Sequence, residues 1–215
     1  YQPEGETFMK QLFAIVALTS AFLVPANTVW AACTDEHAAK DLIQTTTQKV
    51  LDALATNAVD TESILKKEVV PNFDWERMSS TVLGRNSLGK SKWKRRATGN
   101  QQALQDRFVE AFKSLLVRTY KTSLKEATGP NFKVKYLPVC GKNLDKRKRV
   151  KVKARVIQGA KQIAVDFKMS KSKRTGNQWK AYDVYVEGIS LLSNYKNEFK
   201  PLTIEEAITK IKQAQ

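Results

Sequence analysis

An α+β fold is predicted for this chain by two changes in hydrophobic period. Before Gly129-Pro130 the apolar residues recur at helical spacing, from there to Val186 they alternate, and after Gly188 helical spacing returns. The alternating part contains four candidate strands separated by short turn signals. Loops that short join antiparallel neighbours. One face of these strands is apolar while the other carries Lys, Arg, Gln and Asp, so the apolar face must be buried under helices.

Residues 1–8 (YQPEGETF) precede Met9 and read as an upstream extension. Lys10, the apolar run Leu12 to Val24 and the small-residue stretch ending at Ala31 read as a secretory signal over 9–31. The apolar run is shorter than the roughly 20 residues that span a bilayer. Residues 32–215 are expected to form a single domain.

In that domain Thr34-Asp35-Glu36 is expected to open the first helix, with an N-cap hydroxyl followed by acids. Leu42, Ile43, Val50, Leu51 and Leu54 mark its apolar stripe, and Asn57 to Asp60 breaks it. A short helix is predicted from Thr61 to Val70, stopped before Pro71. Asn72 or Asp74 caps the next helix, whose apolar side is Phe73, Trp75, Met78, Val82 and Leu83 and whose end is Gly84. Residues 85–98 form a basic connector with a helical turn around Trp93. Asn100 to Lys121 is the longest helix of the domain, with a bulky stripe of Leu104, Phe108, Val109, Phe112, Leu115, Leu116 and Tyr120. Such a stripe packs a core, and lining a ligand cavity is a variant of that role.

The strand candidates are Phe132–Val139, Arg149–Gln158, Gln162–Met169 and Gln178–Val186. Val150, Val152, Ala154 and Val156 share one face of the second, as do Ile163, Val165, Phe167 and Met169 of the third. Glu187-Gly188 turns the chain into a helix over Ile189–Phe199. Thr203 with Glu206 three residues later forms a capping box for a last helix striped by Ile204, Ala207, Ile208 and Ile211. The whole reads as an antiparallel sheet of four or five strands, curved around a pocket and packed against about seven helices. That is a nuclear-transport-factor-like or cystatin-like cone.

The 215 residues are 42% hydrophobic and 27% charged, a globular composition. The formal charge of +16 rises to +17 without residues 1–31, which hold Lys10, Glu4 and Glu6. Anionic lipid surfaces, acidic proteins and nucleic acid all suit that charge, and export argues against nucleic acid. The most basic block, 142–155, reads as a solvated sheet face with a basic turn or as an anion site. Cys33 and Cys140 either pair, as an oxidising compartment permits, or stay free. His37 is the one histidine, so no zinc cluster can be assembled around it with the two cysteines.

No glycine-rich phosphate loop is present. Gly188-Ile189-Ser190 matches part of a nucleophile elbow, but that motif needs Gly where this chain has Leu192. Asp183 shares an alternating face with Trp179, Ala181 and Tyr185. It could be a buried base in a small-molecule pocket enzyme. A structural carboxylate that caps a helix or pairs with a lysine accounts for it as well.

Pro71-Asn72-Phe73-Asp74, then Met78, Val82-Leu83-Gly84 and Trp93, then Phe108, Phe112, Leu115-Leu116 and Thr119-Tyr120, follow one another in order. Trp179, Tyr182-Asp183-Val184, Glu187-Gly188-Ile189-Ser190, Tyr195 and Phe199 complete the set. Taken together this order resembles the MlaC, or toluene-tolerance, family of periplasmic phospholipid-binding proteins. The resemblance implies a monomeric, non-catalytic carrier with no cofactor beyond its phospholipid cargo, exported to the periplasm. It implies docking onto an inner-membrane lipid ABC transporter complex and an outer-membrane lipoprotein complex, in the maintenance of outer-membrane lipid asymmetry. Met78, Leu83, Phe108, Phe112, Leu116, Val152, Val165, Phe167 and Val184 are the expected lining of its lipid pocket. A module that binds anionic surfaces through the 142–155 block is the other non-enzymatic alternative.

Overall fold

The structure is a computed structural model that describes residues 32–56, 60–84, 99–126 and 132–213, with side chains omitted for 122–126. The extension 1–8, the signal 9–31 and the connector around Trp93 lie outside the described residues. Among the described residues no helix is long and apolar enough to cross a membrane.

Strand β1 (Ala32–Thr34) opens the described chain and pairs antiparallel with β3 (Val139–Gly141). Cys33 faces Cys140 in that register, and the two form a disulfide. Thr34 therefore ends a strand instead of capping a helix. The cap is His37, whose Nδ1 accepts from the Ala39 amide at 3.1 Å to start α1 (Ala38–Ala55).

Next, α2 (Thr61–Ile64) is capped by Asp60 and widens at once into a π-turn, Leu65–Val69, then a 3₁₀ turn, Val70–Asn72. The helix expected over 61–70 is thus continuous as a path but not α throughout. Such π-turns recur at functional sites. Asp74 caps α3 (Trp75–Leu83), and Gly84 ends it at φ 61°, a conformation that side-chain-bearing residues rarely adopt. The long helix is α4 (Asn100–Glu126).

The main sheet has the order β2 (Phe132–Tyr136), β4 (Arg149–Gln158), β5 (Lys161–Ser170), β6 (Lys180–Val186), β7 (Ile189–Ser190), all antiparallel. The strand expected over 132–139 splits into β2 and β3 at Leu137-Pro138, because proline donates no ladder hydrogen bond. Val150, Val152, Ala154 and Val156 oppose Met169, Phe167, Val165 and Ile163, so the apolar faces expected for β4 and β5 coincide. Lys151 and Lys153, from the 142–155 block, stand exposed on the opposite face.

Between β5 and β6 the register shifts. Lys168 opposes Asp183, but Met169 opposes Ala181, which leaves Tyr182 as the extra residue of a bulge. Strict alternation put Ala181 and Asp183 on one face. The bulge returns Ala181 to the apolar face with Val184 and sends Asp183 to the other. Glu187 and Gly188, both at positive φ, make the two-residue turn to β7. Ser190 then caps α5 (Leu191–Phe199), two residues later than the expected helix start. The last helix, α6 (Ile204–Gln213), carries the expected Thr203–Glu206 capping box and buries Ile204, Ala207, Ile208 and Ile211.

Burial divides into three clusters. Helices α3 to α6 pack on one another around Met78, Phe108, Phe112, Phe199 and Ile208. The start of α1 packs Ala39 and Ile43 on the sheet residues Val150, Val152, Met169 and Ala181. The end of α1 packs Val50 and Leu54 on Ile64. Helix α1 therefore bridges two small cores.

Candidate functional site

A cavity of about 180 Å³ opens along α1 between those two small cores. Ile43, Thr46, Thr47, Val50 and Leu51 line it from α1, a spacing of three, four, seven and eight residues that places them on one helical face. Val69, Asn72 and Phe73 come from the π-turn and the segment after it. Phe132 of β2 and Phe167 of β5 form the sheet wall.

The polar side chains of this wall, Thr46, Thr47 and Asn72, each have a hydrogen-bond partner within the protein. Asn72 Nδ2 donates to Thr46 Oγ1 at 2.8 Å and to the Glu68 carbonyl at 2.8 Å. Thr47 hydrogen-bonds Tyr136, whose hydroxyl pKa is pushed up by burial against the opposing pull of that bond. Paired polar groups attract no hydrophilic ligand, whereas the aliphatic and aromatic surface remains to be covered. The cavity can hold apolar matter.

Of the nine lining residues expected from sequence, Phe167 lines this cavity. Met78, Leu83, Phe108, Phe112 and Leu116 are closed into the α3–α6 core. There Phe108 stacks on Phe112 at 5.9 Å, and both meet Phe199 edge-on. Val152 is sealed under α1, while Val165 and Val184 are half-buried on the sheet face that carries Phe167. The α1 stripe was legible as apolar, but the bulkier α4 stripe competed for the same role. Nothing in the spacing distinguishes the stripe that fills a core from the one that borders a gap.

A larger cavity, of about 530 Å³, lies beyond the same 72–74 segment, with Asp74 in its wall where Phe73 lines the apolar one. Size and chemistry thus point to different cavities. The larger is lined by arginine, lysine and hydroxyl side chains, so it cannot receive hydrocarbon.

Asp183 lines neither cavity. Its buried carboxylate accepts from Ser190 Oγ at 2.9 and 3.1 Å and from the Leu192 amide at 3.4 Å. Ser190 Oγ in turn accepts from the Ser193 amide at 3.2 Å. An anion at the first turn of α5 meets the positive end of its dipole. The geometry makes Asp183 the anchor of that helix. Among the described residues no cluster of three or more metal-ligating side chains occurs.

The family model described as MlaC protein matches residues 40–213. The chain belongs to the MlaC family. Its fold is also that of a phospholipid-binding protein from Ralstonia solanacearum, solved in complex with a phospholipid. The two are 24% identical, with a TM-score of 0.66 over 82% of this chain and 96% of the other. The mixed fold of this MlaC-family chain, six α-helices with antiparallel sheets of five and two strands among the described residues, agrees with that likeness.

Proposed function

We propose that this MlaC-family chain is a non-catalytic carrier that takes the acyl chains of a phospholipid into the cavity along α1. The apolar lining, whose few polar side chains have partners within the protein, carries the reading. Membership of the MlaC family and the phospholipid bound by the Ralstonia relative support it.

Removing acyl CH₂ groups from water is worth about 0.8 kcal/mol each, so two sixteen-carbon chains represent on the order of 25 kcal/mol. A bilayer already supplies that stabilisation. An apolar cavity that matches it makes transfer nearly thermoneutral, and the protein removes the aqueous barrier. At about 180 Å³ the cavity is below the usual ~300 Å³ of a small-molecule site, so it must widen around two tails. Widening separates α1 from the sheet, between two small cores, and leaves the α3–α6 core intact. The tails then run over Val165 and Val184 beside Phe167, with Val152 behind them. Met78, Leu83, Phe108, Phe112 and Leu116 stay in the α3–α6 core, outside this wall.

We place the carrier in the periplasm, shuttling lipid between inner and outer membranes in support of outer-membrane lipid asymmetry. Its partners there are an inner-membrane lipid ABC transporter complex and an outer-membrane lipoprotein complex. The signal pattern of residues 9–31 supports export, as does a disulfide of the kind that persists in oxidising compartments. Native mass spectrometry of the purified protein tests the carrier reading. Phospholipid should co-purify, and stripped protein should regain it from vesicles. Protein that never acquires lipid sinks the proposal.

A further inference from the structure

The 530 Å³ cavity is a convergence of cations from three segments. Arg77 comes from α3, Lys148 and Arg149 from the start of β4, and Lys171, Lys173 and Arg174 from the turn after β5. Asp74 is the one carboxylate of its wall, and Arg174 engages it while also holding Glu76 at 3.0 Å. None of the other five cations forms an ion pair among the described residues.

Arg77 is the most constrained of them. Its guanidinium lies 3.4 Å from the centre of the Tyr182 ring, the residue that the bulge sets out of register. It donates to the buried Ser170 Oγ at 2.9 Å. Arg149 opposes Ser170 across the β4–β5 pair, which brings a second guanidinium to the same spot. Burial pulls the Arg77 pKa down, and Arg149 and Arg174 lower it further, while Tyr182 and Asp74 raise it. Asp74 offsets part of the cost of holding this half-buried cation beside Arg149, but its carboxylate is already engaged by Arg174, and a bound oxyanion would stabilise the two guanidiniums further. Aromatic stacking fixes the plane of the guanidinium, so its free donors are already oriented.

We propose that this cavity is a phosphate-binding site, separate from the apolar cavity, in which Arg77 and Arg149 grip the oxyanion and Lys148 and Lys171 neutralise it. Two guanidiniums and two ammoniums around one volume suit a tetrahedral, multiply charged group better than a single carboxylate. The volume falls within the ~300–1,000 Å³ of small-molecule sites. The phosphate could come from a lipid head group or from a free phosphate compound.

Calorimetric titration of the purified protein with pyrophosphate and, separately, with sn-glycerol 3-phosphate tests the proposal. Saturable one-to-one binding of either probe is expected. Tighter pyrophosphate binding assigns a free phosphate compound, and tighter glycerol 3-phosphate binding assigns a head group. Arg77→Gln should weaken binding about tenfold. Lys148→Gln with Lys171→Gln should do the same at exposed or half-buried positions, and it carries the test if Arg77→Gln fails to fold. Lys151→Gln with Lys153→Gln, on the exposed sheet face, should leave binding unchanged. Absence of saturable binding with both probes overturns the proposal, as does equal weakening by the sheet-face pair.

Discussion

Asn72 Nδ2 and Thr46 Oγ1 meet at 2.8 Å in the lining of the apolar cavity, joining α1 to the segment that follows the π-turn. The bond ties together two walls that must part when acyl chains enter. Thr46→Val keeps the shape and removes the acceptor, while Asn72 retains its bond to the Glu68 carbonyl. It should cost about 1 kcal/mol in denaturant melts and speed the recovery of fluorescent phospholipid from vesicles. Unchanged or slower uptake would show that these walls do not separate.

Filling the cavity should have the opposite effect. Leu51→Trp places an indole in the gap without touching the α3–α6 core. Lipid co-purifying with the variant should fall several-fold, while the melting temperature holds or rises, because occupied volume regains dispersion contacts. Full lipid occupancy in a stable Leu51→Trp variant would place the tails elsewhere.

The Asp183–Ser190 pair should behave as a structural unit. Asp183→Asn removes the charge at the start of α5 and should destabilise the protein by about 1–2 kcal/mol. Combined with Ser190→Ala in a double-mutant cycle, the two changes should be less than additive, because they break one network. Additive effects would contradict the assigned geometry.

Cys33 and Cys140 close a loop with a sequence separation of 107. The chain-entropy treatment assigns such a loop about 4–5 kcal/mol. Reductant, or Cys33→Ser with Cys140→Ser, should lower the denaturation midpoint accordingly and release β1 to faster amide exchange. A midpoint insensitive to reductant would refute the bond's contribution.

Mild acid should weaken the start of α1. His37 accepts from the Ala39 amide, which requires a neutral Nδ1. Burial, with Lys171 adding to it, holds its pKa below the ordinary 6.5. The folded state therefore binds this proton less readily than the unfolded chain. The stabilisation is complete above pH 6.5 and is lost as pH falls from there through the lowered pKa. His37→Asn, which keeps a capping oxygen, should flatten the stability profile in that window.

Where local physics decided the structure, reading the chain sufficed. The alternation of β4 and β5 places Val152 opposite Phe167 as the pattern requires. Thr203 and Glu206 cap each other within one turn. Pro138 and the β6 bulge are harder, because a strand break or an extra residue shows only once a partner strand is present. The Tyr182 bulge re-aimed Asp183 toward α5 and placed an aromatic ring under Arg77, a residue far away in sequence.

Taken alone, the sequence determined the class of the fold, most of its helices and strands, and the greasy face that must be covered. Hydrophobic period and capping act over a few residues and need no partner. The tertiary structure decided which stripe fills a core and which borders a cavity, which strand receives Cys33, and where the cations converge. Each of these depends on how distant segments share volume or charge, and no local pattern in the chain records that.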